Sequence, residues 1–491
     1  MGASLMISIS KPPRTCLNDP HGRKGASRMG FDALARNTLL RALRMRYGHS
    51  TRRASRLRAS ASETRLMRII ETGSFKLAFL AVFLFSIPCY ADETRFEFTG
   101  HTKTRLIAQY FPSDSIFHDL TGSNSVDVEG DLRLNLEGDR GPWSFDASYQ
   151  LFALYGDRVE YSRNLPPSLN VIQNRFPNDT RRLFDLTSVI SDSGKFASLH
   201  RLDRLWLGYA NEKTVVRFGR QAISWGNGLF FAPMDVINPF DPTAIDTEYK
   251  TGDDMLYAQY LRDNGDDFQA AIVFRRNPMT GDFESDEGAV SIKYHGVSGN
   301  TEYDVLAALN HDDATIGIGG NKSIGGAVLR GDIVVTDTSS DTTVQFVSNL
   351  SYSWTWGGKN VSGAIEYYFN GFGQKDGAYD PPSLAANPEL LDRLARGEVF
   401  SIGRHYLAGS LMIEISPLWL VTPNVFLNVE DGSALVQLVT QNDLKENLAF
   451  LGSLNVPIGP KGTEYGGIET PVADRYFSTD LSIFAQFAWY F

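Results

Sequence analysis

Residues 126–137 read Val-Asp-Val-Glu-Gly-Asp-Leu-Arg-Leu-Asn-Leu-Glu, in which apolar or small residues alternate with charged or polar ones. An alternation of period two places successive side chains on opposite faces of a β-strand. Comparable runs lie on either side, at 96–110 and 143–155. Strands of soluble sandwiches are usually only five or six residues long. These longer runs, each with one polar face, fit strands that cross a membrane with lipid on one side and a wet lumen on the other.

The same pattern continues to the last residue and predicts an all-β fold, a transmembrane antiparallel up-and-down β-barrel. Closure of a barrel satisfies every backbone hydrogen bond and removes exposed strand edges. We predict eighteen strands, at 94–111, 123–137, 143–156, 199–210, 214–224, 254–262, 267–276, 287–297, 301–310, 314–319, 324–336, 342–356, 360–370, 403–415, 419–429, 433–441, 446–455 and 480–491. Because 314–319 and 433–441 are short, sixteen strands is the alternative.

The connections between these strands alternate in length. The long ones, 157–198, 225–253, 371–402 and 456–479, all follow odd-numbered strands, whereas the connections after even-numbered strands are short. If the first strand runs outward, the long loops are extracellular and the short turns periplasmic, as in outer-membrane barrels. The Asn-Pro pair at 387–388 predicts a short helix over 387–396, packed at the outer mouth.

Aromatic residues near the predicted strand ends indicate where the membrane surface lies. They are Trp143, Trp354, Trp356, Trp489 and Tyr490. Tryptophan and tyrosine are enriched at the boundary between lipid and water. We therefore predict that these five side chains form an interfacial girdle.

The formal net charge of −10 hides a sharp asymmetry. Residues 1–91 carry +12 and contain both cysteines, Cys16 and Cys89, whereas residues 92–491 carry −22. Two cysteines exclude a disulfide framework or a cysteine-based zinc scaffold. The boundary near residue 91 therefore separates two different kinds of sequence.

Residues 67–91 read MRIIETGSFKLAFLAVFLFSIPCYA, which is the three-part plan of a secretory signal peptide. Its apolar run is too short to span a bilayer as a helix, and we predict cleavage after Ala91. Residues 1–66 are rich in Arg and Ser, a composition shared with transit peptides and nucleic-acid-binding arms. Because a complete export signal begins at Met67, we interpret 1–66 as a disordered, non-native upstream extension and expect no nucleic-acid partner.

The last strand carries an independent signal. Its apolar face ends with Phe487, Trp489 and the C-terminal Phe491. This resembles the terminal strand of Gram-negative outer-membrane barrels, which the barrel-assembly machinery recognises. The resemblance implies location in the outer membrane, with contacts to its lipids and lipopolysaccharide.

A barrel of sixteen to eighteen strands encloses an aqueous channel, whereas eight strands are filled by their own side chains. The third outward connection, 225–253, follows Gly-Arg-Gln at 219–221 and contains Trp-Gly at 225–226 and Asn-Pro-Phe-Asp at 238–241. These pieces resemble outer-membrane porin-like families, including the alginate-export type, with which only Gly-Arg-Gln is shared. In porins the third loop folds into the lumen, so the resemblance implies a constriction.

We therefore expect a pore constriction formed by wall residues and by the loop with its flanks. Wall bases of inward parity would face loop acids and create a transverse field that selects by charge. The candidates are Lys103, Arg105, Arg133, Arg217, Gln221, Trp225, Asp235, Asn238, Asp241 and Asp246. Two alternatives stay open. The acids could cap turns while the bases pair with wall acids such as Asp131, or the Asp cluster could bind calcium.

The sequence does not favour an enzyme. The pair His311-Asp312 occupies a short connection that we interpret as a solvated turn. The stretch Gly317 to Ser323 lacks the glycine that precedes the lysine of a phosphate-binding loop, and we interpret it as a glycine-rich turn. We expect no catalytic residues, no metal and no cofactor.

The sequence thus predicts a channel for diffusion of small hydrophilic solutes. One alternative is a dedicated export conduit for a polysaccharide or lipid, and another is a surface receptor or scaffold barrel that transports nothing. A homo-oligomer is left open.

Overall fold

The structure is a computed structural model that describes residues 94–164 and 176–491. The upstream extension 1–66 and the signal peptide 67–91 lie outside the described residues. The described strands are β1 (Arg95–Tyr110), β2 (Asn124–Arg140), β3 (Trp143–Gly156), β4 (Thr187–Ser193), β5 (Phe196–Ala210), β6 (Thr214–Gln221), β7 (Asp253–Leu261), β8 (Asp267–Val273), β9 (Ala289–Ser298), β10 (Thr301–Asn310), β11 (Asp313–Ile324), β12 (Ala327–Asp337), β13 (Thr342–Trp356), β14 (Lys359–Asn370), β15 (His405–Ser416), β16 (Trp419–Asn428), β17 (Ala434–Lys445), β18 (Leu448–Ile458), β19 (Ile468–Glu469), β20 (Tyr476–Phe477) and β21 (Leu481–Tyr490).

Within residues 94–164 and 176–491, eighteen of these strands form one closed antiparallel ring. Each strand pairs with the next, and β1 pairs with both β2 and β21, which closes the barrel. The other three strands lie outside the ring. Strand β4 pairs with the first residues of β5, Phe196 to Arg201, and β19 pairs with β20. Each predicted strand corresponds to one strand of the ring, so the predicted all-β barrel of eighteen strands is confirmed.

The two short predicted strands are parts of longer ones. Segment 314–319 belongs to β11 and 433–441 to β17, and each pairs on both sides. This excludes the sixteen-strand alternative. The predicted glycine-rich turn from Gly317 to Ser323 is wrong, because these residues continue β11 and pair with β10 and β12. The alternation that identifies a strand is hard to see there, since the two inward positions 317 and 319 and the outward position 320 are all glycine.

Apolar and polar side chains separate on the two faces of the ring as the alternation predicts. On β1, Phe96 and Phe98 point outward, and each leaves about three fifths of its surface exposed (59% and 60%). His101 and Lys103 point inward and are almost fully buried. The outer face of the barrel is therefore an apolar band, and the polar face surrounds the lumen.

The aromatic girdle is present in part. Trp143, Trp354, Trp356 and Trp489 are exposed on the outer face, each near a short turn. Tyr490 instead points inward, because it pairs directly with the inward residue His101, and its hydroxyl donates to Glu248 Oε2 at 2.9 Å. Its assignment to the girdle is therefore corrected.

One rim of the barrel carries all the long connections. They are 111–123, 157–195, 222–252, 274–288, 371–404 and 459–480, whereas the connections at the other rim have two to five residues. The described helices all lie on the long-loop rim: α1 (Ile116–Thr121), α2 (Asp157–Asn164), α3 (Pro381–Ala385) and α4 (Pro388–Arg396), together with a 3₁₀ turn at Lys375–Gly377. In the described part of the chain, every helix is too short or too polar to be a membrane span.

The helix expected from the Asn-Pro pair is α4. The side chain of Asn387 accepts a hydrogen bond from the backbone N–H of Leu390, and Gly397 ends the helix with φ +71°. Such an N-cap satisfies one of the free N–H groups of the first turn, and a glycine in this left-handed conformation commonly terminates a helix. The buried Leu390 packs with Tyr379 and Ile402 of the same connection.

Candidate functional site

Loop 222–252, the third connection on the long-loop rim, lies inside the barrel. Asn227 Nδ2 donates to Asp332 Oδ1 on β12 at 2.8 Å, while Asp246 Oδ2 accepts from Lys103 Nζ on β1 at 2.7 Å. Gln437 Nε2 on β17 donates to the backbone carbonyl of Thr243 at 3.1 Å. Because β1 and β12 stand on opposite sides of the ring, the loop crosses the lumen from wall to wall.

Two wall carboxylates hold the first half of the loop. Glu366 on β14 is fully buried (0% exposed) and accepts hydrogen bonds from three successive backbone N–H groups, those of Leu229 at 2.6 Å, Phe230 at 3.0 Å and Phe231 at 2.8 Å. Asp332 accepts from the backbone N–H of Asn227 at 2.7 Å. These bonds fix the backbone of the loop and do not depend on its side chains.

Apolar packing supports the same half of the loop. Trp225, Met234 and Ile237 pack against buried inward residues of β7 to β12. Phe231 stacks on Tyr368 of β14 with ring centroids 4.5 Å apart. Burial of this much apolar surface makes the first half of the loop part of the packed interior.

A groove in the wall receives Met234, which is fully buried. A Cβ atom on Gly319 would lie 1.9 Å from Asp332 Oδ1 and 2.9 Å from Met234 Sδ, and one on Gly317 would lie 3.3 Å from Met234 Cγ. The two glycines are at inward positions of β11 and alternate with the strongly exposed Ile316 and Ile318. The segment that resembled a phosphate loop therefore makes room for the loop inside the barrel.

The second half of the loop is held by ion pairs. Lys103 Nζ lies 2.7 Å from both Asp246 Oδ2 and Glu248 Oε2, and Arg105 Nη2 lies 3.2 Å from Asp246 Oδ2. Burial disfavours the ionised form of Asp246, but Lys103 and Arg105 outweigh it and lower the pKa of Asp246 to about 2. Because the pKa is lowered, the stabilisation that Asp246 gives through these ion pairs is fully present above the ordinary pKa of 3.8. It is lost only as the pH falls through about 2.

Tyr249, at the same end of the loop, contacts β1 and the neighbouring strand β2. Its ring lies 4.1 Å from the guanidinium carbon of Arg133 and 5.4 Å from the His101 ring centroid. Arg133 is also paired with Asp203 of β5, with Nη1 2.9 Å from Oδ2. A cation over an aromatic face is an attractive contact, so the loop end is held on β1 and β2 by charge and by stacking.

The Gly-Arg-Gln motif forms the base of the loop. Gly219 has φ +126°, and a Cβ atom there would lie 2.2 Å from the carbonyl oxygen of Leu205. Arg220 makes two hydrogen bonds to Asp254 at 2.9 and 3.0 Å, and two to Asp179 at 3.0 Å. It therefore joins β6, β7 and the connection 157–195 through one fully buried guanidinium group.

The structure brings only some of the predicted site residues together. Lys103, Arg105 and Asp246 are in direct contact, with Arg133 beside them under Tyr249. Arg105 also contacts Asp131 at 3.3 Å, the wall pairing that the alternative interpretation anticipated.

The remaining candidates have other partners. Arg217 stacks on Trp206 at 4.8 Å, and Gln221 donates to the carbonyl oxygens of Arg217 and Met255, each at 3.4 Å. Trp225 Nε1 donates to Gln269 at 2.7 Å, and Asn238 donates to the carbonyl oxygen of Thr251 at 2.7 Å. These contacts hold the loop and its flanks in shape.

Two of the loop acids do not reach the wall bases. Asp235 pairs with Lys250 of the same loop, and burial raises the pKa of Asp235 despite this partner. Asp241 accepts from the backbone N–H of Thr243 at 2.8 Å in its own turn. Asp235, Asp241 and Asp246 thus have three different partners and do not converge as calcium ligands would. Among the residues described, no group of three or more His, Cys, Asp or Glu is placed to hold a metal ion.

The interpretation of His311 as part of a solvated turn is half correct. His311 and Asp312 do form the tight β10–β11 turn, with φ +51° and +63°. The His311 ring, however, is buried, with Nδ1 3.3 Å from Glu287 and Nε2 3.5 Å from Glu398. Burial, reinforced by surrounding arginines such as Arg275, lowers the pKa of His311 to about 2. The ring is therefore neutral at ordinary pH and supports the packing of the rim.

The carboxyl group of one residue connects the loops of the long-loop rim. Glu464 of connection 459–480 accepts from Tyr406 Oη at 2.6 Å, from Asn428 Nδ2 at 2.8 Å and from the backbone N–H of Ile402 at 3.1 Å. All three donors are neutral. Burial raises the pKa of Glu464 to about 7, although these hydrogen bonds oppose the shift.

This raised pKa predicts a pH-dependent rim. Docking of Glu464 is most favourable below the ordinary value of 4.5 and weakens as the pH rises through about 7. Hydrogen exchange of segment 459–480, corrected for the intrinsic effect of pH, should therefore lose protection between pH 5 and 8. In Glu464→Gln the protection should not change over this range. Parallel losses in both proteins would show that another group is responsible.

No protein-family model matches the chain, and no curated protein matches it. Among solved structures, it is similar to OccAB1 of Acinetobacter baumannii, with 9% identity, a TM-score of 0.46, and coverage of 81% of this chain and 96% of that one. It is also similar to a BenF-like porin from Pseudomonas fluorescens Pf-5, with 8% identity, a TM-score of 0.46, and coverage of 82% of this chain and 100% of that one. A third similar structure is Wzi of Escherichia coli, an outer-membrane carbohydrate-binding β-barrel involved in group 1 capsule assembly. The identity is 12% and the TM-score 0.45, with coverage of 92% of this chain and 91% of that one. The closed ring of eighteen strands in the described residues is by itself a porin-like barrel.

Proposed function

We propose that the protein is an outer-membrane, porin-like channel through which small hydrophilic solutes diffuse, and that loop 222–252 narrows its lumen. The observation that carries this proposal is the loop, held across the interior of a large barrel by bonds to Glu366 on one side and Lys103 on the other. A barrel of this size has room for a water-filled path. A loop fixed inside it reduces the width of that path.

The outer face supports the location in a membrane. Apolar side chains such as Phe98, Ile318 and Phe487 are exposed there, and an apolar band of this kind is stable only against lipid. We propose that outer-membrane lipids and lipopolysaccharide cover the band, and that the assembly machinery recognises the last strand. The long-loop rim would then face outward and the short turns the periplasm. Diffusion down a gradient needs neither a catalytic group nor a cofactor.

The expected result in a planar lipid bilayer is a series of discrete current steps from the purified, folded protein. Proteoliposomes should in parallel admit small sugars and exclude larger ones, because the loop limits the width of the path. An absence of steps, with the barrel shown to be folded by its heat-modifiable mobility on gels, would contradict the channel. It would instead favour the receptor or scaffold alternative.

A further inference from the structure

Resting on this proposed function, we infer that Glu366, assisted by Asp332, is the positioning residue that sets the constriction. The backbone N–H groups of a loop inside a barrel have no neighbouring strand to pair with, so other buried acceptors must satisfy them and fix the loop in place. The three successive N–H groups of Leu229, Phe230 and Phe231 all point at one carboxylate. This arrangement fixes the position of residues 229–231 along the barrel axis and the orientation of their backbone.

The surroundings of Glu366 are arranged for this role. Asn349 of β13 donates to Glu366 Oε2 at 3.0 Å and also to the backbone carbonyl of Asn227 at 3.1 Å. Asn227 in turn donates to Asp332 Oδ1 and contacts Asp304 Oδ2 at 3.2 Å. Four strands of this wall, β10, β12, β13 and β14, therefore hold four residues of the loop, namely Asn227, Leu229, Phe230 and Phe231.

This attachment differs in kind from that at the other wall. Asp246 and Glu248 meet Lys103 through side-chain ion pairs, and the side chain of Glu248 is 34% exposed while Glu366 is fully buried. The pair between Lys103 and Glu248 is partly exposed and is therefore screened by salt. A buried carboxylate that accepts several backbone hydrogen bonds is costly to remove, because the abandoned N–H groups stay without partners. The Glu366 end is therefore the fixed end of the loop.

The test compares Glu366→Gln with Glu302→Gln. Glutamine has the same size, but its NH₂ group would face the N–H of Leu229 or the amide of Asn349, donor against donor. Glu302 is on β10, two residues before Asp304 on the same face, and within residues 94–164 and 176–491 its one hydrogen bond is accepted from Asn321 of the next strand at 2.9 Å. It is thus a lumen carboxylate that does not hold the loop.

We expect amide hydrogens 229–231 to exchange about 10- to 100-fold faster in Glu366→Gln than in the wild type, the range that follows from leaving a buried hydrogen-bonding group unsatisfied. Single-channel conductance and current noise should rise, while the thermal unfolding of the barrel stays close to that of the wild type. Glu302→Gln should change none of these. Unchanged exchange in Glu366→Gln, or equal changes in both variants, would overturn the inference.

The exchange measurement keeps this inference separate from the proposed function. If the wild type carries no current, the channel fails, yet the exchange of residues 229–231 still decides whether Glu366 positions the loop. If the wild type conducts and Glu366→Gln exchanges faster with no change in conductance, the segment is not the constriction and the inference is overturned. A general loss of stability would instead lower the unfolding temperature and accelerate exchange in the strands.

Discussion

Arg220→Met is expected to lower the free energy of unfolding of the barrel by about 3–5 kcal/mol, the usual cost of breaking a buried ion pair by removing one partner. The guanidinium group of Arg220 bonds Asp254 and Asp179 and also donates to the carbonyl oxygen of Phe184 at 2.6 Å. Methionine fills much of the space but leaves two buried carboxylates without this partner. Urea unfolding in lipid vesicles measures the change.

A matched control is Arg262→Met. Arg262 pairs with Asp266 at 3.3 Å in a turn at the short-turn rim, with about half of its side chain exposed. Exposed pairs of this kind contribute about 0–1 kcal/mol, so the control should be close to the wild type. Asp254→Asn in the Arg220→Met background should restore part of the loss, since it removes one abandoned charge. Equal effects of Arg220→Met and Arg262→Met would contradict the role of Arg220.

The double variant Asp246→Asn/Glu248→Gln is expected to shift ion selectivity toward anions by several-fold in the permeability ratio. These two carboxylates neutralise Lys103 and Arg105 at the contact between loop and wall. Without them, positive charge dominates this part of the lumen, and charged groups that line a narrow path determine which ions pass. The reversal potential in a salt gradient measures the shift.

The control for this experiment lies on the same loop. Asp241→Asn removes an acid of the same type that bonds within its own turn instead of meeting a wall base. We expect at most a small change in its reversal potential. A shift as large as that of the double variant would mean that the net charge of the loop, and not the contact with Lys103, controls selectivity.

The barrel could be predicted from the sequence because its main signal is local. The alternation at Val126 to Glu137 repeats in most of the strands, and the lengths of the loops and turns follow from where it stops. Inward parity also placed Lys103, Arg105 and Arg133 correctly on the lumen face. Strand β4 and helices α1 and α2 could not be predicted in this way, since they are short elements within irregular loops.

The contacts between loop and wall inside the lumen could not be predicted, because they join residues that are far apart in the chain. Glu366 and Phe231 are separated by 135 residues, and Asp246 and Lys103 by 143. The sequence alone does not distinguish the acids of the loop, so Asp235 and Asp241 were as suitable candidates as Asp246. The one local signal for Glu366 is an inward acid in a strand that is otherwise mostly apolar or aromatic. For Arg220 it is the motif Gly-Arg-Gln itself.

The central claim, that loop 222–252 narrows a transmembrane channel, is tested most directly by single-channel conductance with and without the loop. Lys250 Nζ donates to the carbonyl oxygen of Ile223 at 2.6 Å and to Ser224 Oγ at 3.1 Å, so the two ends of the loop lie side by side. Segment 226–249 can therefore be replaced by a short Gly-Ser turn. We predict discrete steps for the wild type and a much larger step for the shortened protein. Equal conductance of the two folded proteins, or no conductance from either, would contradict the claim.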